Sequence, residues 1–323
     1  MMQGGMAQFK NAVVLEVRSW KLTWWLLAGW TRLRGALSWL AATSRAMTGG
    51  GALAGVPPEF PEPHVLIVCA HFSRADRPRL EWLRACVDSV IAQDFKQWTL
   101  MLVDDASPGN DAKLIDELCQ QDARIKGWQL VENSGAYIAR NTAVACANLN
   151  RYGPAGDAPV PWTHLTLIDS DDVAAPDWLS HVLAVMGKDQ GLVRCVLERQ
   201  DIELTRTHRR LHSYCQTLYS RKFWEKLGGF HPVRVAADDE FLVRARRLIA
   251  LSGASFISRF AWKTGQYMRS HDHNASDAQP IERKLWTTQR RREIAAARTS
   301  EALLLKNVVT VEARPLFRLD SES

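Results

Sequence analysis

Three short apolar runs, Val65-Leu66-Ile67-Val68, Thr99 to Val103 and Leu165 to Ile168, recur along the chain. The second and third end abruptly in aspartates, Asp104-Asp105 and Asp169-Ser170-Asp171-Asp172. An apolar run without polar alternation suits a strand buried on both faces, as in a parallel sheet covered by helices. The intervening stretches supply the helices. Leu80, Leu83, Val87, Val90 and Ile91 recur at helical spacing, and further helices are expected at Ala112 to Gln121 and Ala136 to Ala147, with another strand at Trp128 to Val131. This alternation predicts an α/β fold with a doubly wound, mostly parallel sheet and helices on both faces. Ligands bind such sheets beyond the carboxyl ends of the strands, where both acidic clusters lie.

The boundaries follow from punctuation. Residues 1–48 form a Trp-rich, basic, amphipathic segment, and 49–63 a Gly/Pro linker that no helix or central strand could contain. Residues 64–277 form the α/β domain and 278–323 a basic C-terminal extension, both terminal extensions being read as helical. Five tryptophans (Trp20, Trp24, Trp25, Trp30, Trp39) share the first segment with Lys and Arg, while its best apolar run, Leu22 to Trp30, falls short of the ~20 residues that span a bilayer. We expect an interfacial helix on a membrane surface, the alternative being packing on its own domain or a partner. With no secretory signal read in the sequence, the expected location is cytoplasmic, peripheral on the inner face of the plasma membrane. The net charge of +6 is too small and too dispersed to imply nucleic acid, but suits anionic phosphates or an anionic membrane. The six cysteines, at 69, 86, 119, 146, 195 and 215, include no CxxC pair and fall mostly in apolar runs, which suggests a reducing compartment and no zinc site.

Two carboxylate clusters at one sheet edge repel each other unless a cation or hydrogen-bond donors hold them. A divalent metal, Mn2+ or Mg2+, is the simplest compensation, and such ions bind through one or two carboxylates with substrate phosphates completing the shell. The plainer reading makes these aspartates helix caps and turn residues, and Asp172, ahead of Pro176, fits it.

Four ordered pieces of the sequence resemble the family 2 glycosyltransferases with the GT-A fold, across roughly Val65 to Ser276. Gln93-Asp94-Phe95 with Leu102-Val103-Asp104-Asp105-Ala106-Ser107 looks like the family's base-binding strand and double aspartate. Asn133-Ser134-Gly135 through Ala139-Arg140-Asn141 looks like its next loop and helix, and Ile168-Asp169-Ser170-Asp171-Asp172 with Pro176-Asp177-Trp178 like its Asp-x-Asp metal motif. Leu227-Gly228-Gly229-Phe230 followed by Asp238-Asp239-Glu240-Phe241-Leu242 resembles the segment that carries the catalytic base. An Asp-x-Asp alone is weak evidence, whereas four pieces in order at the family's spacing are specific.

The resemblance implies a nucleotide-sugar donor, most commonly a UDP-sugar, a glycan or lipid-linked acceptor, metal dependence, and single displacement with inversion. It implies that Asp104 or Asp105 accepts a hydrogen bond from base or ribose, with the backbone around Ala70 and His71 closing over the base. Arg140 would approach the nucleotide, and Asn133 and Gly135 would shape the adjoining loop, though Asn133 reads equally as a turn residue of left-handed torsion and Gly135 as a turn glycine. Asp171 would ligate the metal, with Asp169 on the ribose or a metal-bound water. Asp238 would be the general base, with Asp239 the alternative, because the family's Glu-Asp is replaced here by Ala237-Asp238 or Asp238-Asp239. In the closing loop His271 or His273 would reach metal or diphosphate, or both are exposed loop residues. The basic stretch Arg206, His208, Arg209, Arg210 and His212 would meet an anionic acceptor or form a solvated face. The rivals are a receiver domain, a nucleotidyltransferase, and a non-catalytic sugar-nucleotide-binding or scaffold protein of this fold. The first lacks its acid pair on the opening strand, the second lacks glycine in His71-Phe72-Ser73-Arg74, and the third is disfavoured by the full set of acids.

Overall fold

The computed structural model describes residues 62–76, 79–148, 159–271, 280–306 and 308–315. The membrane-seeking segment 1–48, most of the linker and His273 lie outside the described residues. In chain order the elements are β1 (Val65–His71), α1 (Leu80–Ile91), β2 (Trp98–Asp104), α2 (Asp111–Gln121), β3 (Ile125–Leu130), α3 (Ala136–Asn148), β4 (His164–Leu167), β5 (Val173–Ala174) and α4 (Trp178–Met186). There follow β6 (Gly191–Gln200), β7 (Thr207–Ser220), α5 (Arg221–Leu227), α6 (Ala237–Leu251), β8 (Ile257–Arg269), α7 (Pro280–Ala296), a 3-10 turn (Glu301–Leu303) and β9 (Ala313–Pro315).

The strands join one sheet in the order β5-β8-β6-β7-β4-β1-β2-β3-β9. Its core, β4-β1-β2-β3, is parallel, and β7 and β9 join that core antiparallel at either side. Leu66, Val68, Met101 and Val103 pack beneath α3, α5 and α6, while Val65, Ile67, Leu100 and Leu102 pack beneath α1, α2 and α4. Burial on both faces is the reason the strands read as continuous apolar runs. The expected fold class is therefore the one observed, although β5 to β8, which extend the sheet beyond β4, were not read from the sequence, and two further details differ.

The third strand begins at Ile125 rather than Trp128 and ends before Val131, which is 69% exposed. Its sequence, Ile-Lys-Gly-Trp-Gln-Leu, interleaves polar residues because it lies toward the rim of the parallel core, so its apolar signal is weak. The region beyond residue 277, expected to be helical, supplies α7, which packs on α6, and also β9. Ala313 pairs with Leu130 and Arg314 with Gln129, so β9 satisfies backbone groups that β3 would otherwise present as a bare edge.

Buried polar clasps set the elements around the sheet edge. Gln93 is fully buried, donates to the carbonyls of Ser89 (3.1 Å) and Ala175 (2.7 Å), and accepts the Leu179 N–H (3.1 Å), tying the end of α1 to the start of α4. Asn141 on α3 grips the Phe230 peptide at both its N–H and its carbonyl, each at 2.9 Å. A Cβ on Gly229 would lie 2.6 Å from the Asn141 side-chain oxygen, and one on Gly228, at φ +85°, 2.6 Å from the Leu305 carbonyl. Only glycines allow this approach. Arg244 on α6 pairs with Glu240 (3.0 Å) and donates to the Gly229 carbonyl (2.7 Å), so the Gly-Gly-Phe turn and the first turn of α6 are held as one unit.

Candidate active site

Parallel pairing of β1 with β2 sets His71 opposite Asp104, and the β4 end carries Asp169 to Asp172 beside them. The His71 side chain is buried, with Nδ1 at 3.0 Å from Ser170 Oγ and Nε2 at 2.8 Å from Asp111 Oδ1, so it ties β1 to the acidic loop and to α2. Its carbonyl accepts the Asp105 N–H at 2.8 Å, and Ala70 is half-buried. Burial presses the Asp111 carboxyl upward, but the hydrogen bonds from His71 and Ser73 outweigh it and hold that group below its ordinary range.

Both members of the double aspartate are turned to their own chain. Asp104 accepts the Ser107 N–H (3.1 Å) and the Gln129 amide (2.9 Å). Asp105 accepts the N–H groups of Ser134 (2.7 Å) and Gly135 (2.8 Å) and the Asn133 amide (3.1 Å), which fixes the loop between β3 and α3. Burial raises the Asp105 pKa despite the two backbone donors. In that loop the positive φ falls on Gly135 (+92°), and Asn133, for which left-handed torsion was one expectation, does not have it. Asn133 instead accepts from Arg234 at 2.8 Å while donating to Asp105.

Asp169, Asp171 and Asp238 share one electrostatic environment. Arg140, buried on α3, hydrogen-bonds Asp169 Oδ1, and Gln216 reaches Oδ2 at 3.3 Å. Burial raises the Asp169 pKa, with repulsion from Asp171 and Asp238 adding to it and Arg140 opposing it. At Asp171 burial also pushes upward, but His271 (Nε2 to Oδ2, 2.8 Å) and Arg79 (NH1 to Oδ2, 3.3 Å) prevail and keep the carboxyl below its ordinary range. Asp172 is buried and, as the turn reading expected, closes a turn by donating its N–H to the Asp169 carbonyl at 3.0 Å, while its carboxylate accepts the Arg269 N–H at 3.2 Å. Burial, then Asp171 and Asp169, push its pKa well up.

The first turn of α6 separates its two aspartates. Asp238 accepts the Tyr137 hydroxyl at 2.6 Å and lies close enough to Asp169 to raise its pKa, whereas Asp239 pairs with Arg291 of α7 at 2.7 Å. Ala236, just before the helix, has φ +67°, a left-handed conformation that turns the chain into α6.

The glycosyl transferase family 2 model matches residues 66–243, more than half of the chain and the stretch that carries every feature just described except His271, Arg269 and Arg291. The chain belongs to glycosyl transferase family 2.

Among relatives of this family 2 chain, the glycosyltransferase GlyG of Streptococcus pneumoniae is 25% identical over 114 residues, 35% of this chain and 34% of GlyG. TuaG, a glycosyltransferase ascribed to teichuronic acid biosynthesis in Bacillus subtilis, is 31% identical over 106 residues, 33% of this chain and 37% of TuaG. The matched stretch thus spans about a third of the length of these relatives. S. aureus TarS 1-349, in complex with UDP-GlcNAc, has the same fold, with a TM-score of 0.55 at 14% identity over 74% of this chain and 68% of that one.

Sequence reading of this family 2 chain missed Tyr137, Arg79, Trp82 and Gln216. Tyr137 stands three residues before Arg140, a spacing that puts both on one face of a helix, so it was within reach of the pattern. The Trp82 ring stacks on His271 (5.3 Å between centroids) and lies under Arg79 and Arg269, contacts across the fold that no local spacing announces. The basic stretch around Arg206 to His212 forms the exposed outer part of the β6–β7 hairpin, where Arg210 pairs with Glu198 at 3.0 Å. A cavity of about 420 Å³ between α1 and α2, lined by Leu80, Arg84, Asn110 and Leu114, holds none of the acids named above.

Among the described residues no group of three or more His, Cys, Asp and Glu side chains is arranged to hold a metal. His271 and Asp171 are hydrogen-bonded to each other at 2.8 Å, and one imidazole with one carboxylate is a donor set that a divalent ion accepts when substrate phosphates supply its remaining ligands. No described helix is long and apolar enough to cross a membrane.

Proposed function

We propose that this chain transfers a sugar from a nucleotide-sugar donor, a UDP-sugar, to a hydroxyl of a glycan or lipid-linked acceptor by single displacement with inversion. The observation that carries the proposal is the chain of contacts from Asp238 through Tyr137, which packs on Arg140, to Asp169, with its neighbour Asp239 drawn away by Arg291. An acceptor hydroxyl between donor and Asp238 loses its proton to that carboxylate as its oxygen attacks the anomeric carbon. Tyr137, hydrogen-bonded to Asp238 Oδ1, holds the carboxylate in orientation.

The loop that Asp105 fixes, together with Ala70 and the backbone of His71, receives the base. Asp104 and Asp105 act there mainly by shaping the wall, because their oxygens already accept from Ser107, Gln129, Asn133, Ser134 and Gly135. Asp169, fixed by Arg140, faces the ribose. Asp171 and His271 would hold a divalent cation, manganese or magnesium, which stabilises the charge growing on the departing diphosphate as a Lewis acid. UDP-GlcNAc in the structure of TarS is in keeping with the donor class.

Asp238→Asn tests the reading. A neutral amide accepts no proton, so turnover should fall by roughly two to four orders of magnitude while donor affinity is kept. Asp239→Asn should transfer sugar at near-normal rates. Loss of transfer in Asp239→Asn alone would shift the base by one residue, and normal transfer in both would refute the mechanism.

A further inference from the structure

Arg79 and His271 meet the same carboxylate oxygen, Asp171 Oδ2, at 3.3 Å and 2.8 Å. We infer that Arg79 is a displaceable counter-ion of Asp171, which orders the carboxylate before a divalent cation is bound and then turns to the diphosphate of the donor. The inference rests on the reading of Asp171 and His271 as the metal-holding pair.

The guanidinium is positive at every working pH, so one oxygen serving both it and a divalent cation would bring like charges together. A cation that takes Oδ2 therefore displaces Arg79. The pair is built to allow this. Its side chains are 24% and 18% exposed, so an incoming cation can reach the pair. The backbone of Arg79 is pinned by the Ser73 hydroxyl, which accepts its N–H at 3.1 Å, so the freed side chain pivots from a fixed point. Trp82 lies along that arc, its ring 5.5 Å from the Arg79 guanidinium and 5.6 Å from that of Arg269, and it stacks on His271. Two guanidinium groups thus gather around one indole beside Asp171, and the planar fork of arginine matches the phosphate oxygens of a diphosphate.

The test compares the full chain with Arg79→Gln, Arg79→Lys and Asp171→Asn in two titrations. One follows Mn2+ without nucleotide, through the paramagnetic resonance of the free ion, and the other follows UDP in saturating Mn2+, by calorimetry. Arg79→Gln should bind Mn2+ about fivefold more tightly than the wild type, because the competing charge is gone. It should bind UDP about tenfold more weakly. Arg79→Lys, which keeps the charge, should return Mn2+ affinity to the wild-type value, a rescue that a merely structural role would not produce. Wild-type Mn2+ affinity in Arg79→Gln, with binding abolished in Asp171→Asn, overturns the counter-ion role and leaves the metal reading standing. Unchanged UDP affinity in Arg79→Gln overturns the transfer to diphosphate. Failure of the wild-type chain to take up Mn2+, with or without UDP, overturns both the inference and the metal reading beneath it.

Discussion

His164, at the start of β4, illustrates how a single residue couples this fold to pH. It is 8% exposed, with Nδ1 at 2.9 Å from the Thr163 hydroxyl, and burial pushes its pKa from 6.5 down to about 4. The folded chain therefore keeps His164 neutral in a range where the unfolded chain binds a proton. As pH falls from 6.5 to about 4 the unfolded state gains protons that the fold refuses, and stability falls by up to ~3 kcal/mol at this site before levelling off below that range. Urea midpoints at pH 7 and pH 4.5 should differ less in His164→Gln than in the wild type, and an identical difference would remove His164 from the account. The site aspartates teach a related lesson. Their clustering was plain in the sequence, but which of them have loop donors and which face one another was not, because Ser134, Gly135, Arg140 and Tyr137 reach them from other elements.

At the scale of elements, the site depends on how α6 is docked. Glu240 and Arg244 are both buried on one face of that helix, and Arg290 of α7 joins Glu240 at 3.0 Å. Breaking such a buried pair costs about 3–5 kcal/mol, so Glu240→Leu should lower stability by that order, read by urea unfolding. Gly229→Ala acts on the neighbouring turn by thrusting a methyl group onto the Asn141 oxygen, and it should cost ~2–3 kcal/mol through lost hydrogen bonds and overpacking. Gly253→Ala is the comparison, since a Cβ there meets nothing within 4 Å and only the φ of +63° is strained, at ~1 kcal/mol. Equal losses in the two glycine variants would show that the Asn141 clasp adds nothing.

At the scale of the whole chain, strand β9 and the segment before the catalytic domain make different demands. Removing residues 313–323 would strip β9 from β3 and expose a sheet edge, so the shortened chain should self-associate at concentrations where the full chain is monodisperse, as light scattering would report. For residues 1–48, whose five tryptophans and basic residues suit an interface, the full chain should float with anionic liposomes and a form beginning at Pro57 should not. Equal partitioning of the two would end the membrane proposal.

The sequence by itself determined the parallel core of the sheet and the inventory of acids, whereas β5 to β9 came only with the structure. Strands buried on both faces must be written as unbroken apolar runs, helices over them must repeat every three or four residues, and carboxylates after such runs fall at one edge of the sheet. The Gly-Gly-Phe segment was legible only through the family resemblance, and the structure supplies its physical reason, since a Cβ on either glycine would come within 2.6 Å of a neighbouring oxygen. What only the tertiary structure decided was the partner of each acid. Asp238 and Asp239 are adjacent and chemically identical, and the sequence favoured Asp238 only by its spacing to Glu240-Phe241-Leu242, with Asp239 as the alternative. They differ because Tyr137 arrives on α3 at one and Arg291 on α7 at the other, and those helices are brought there by packing between residues distant along the chain.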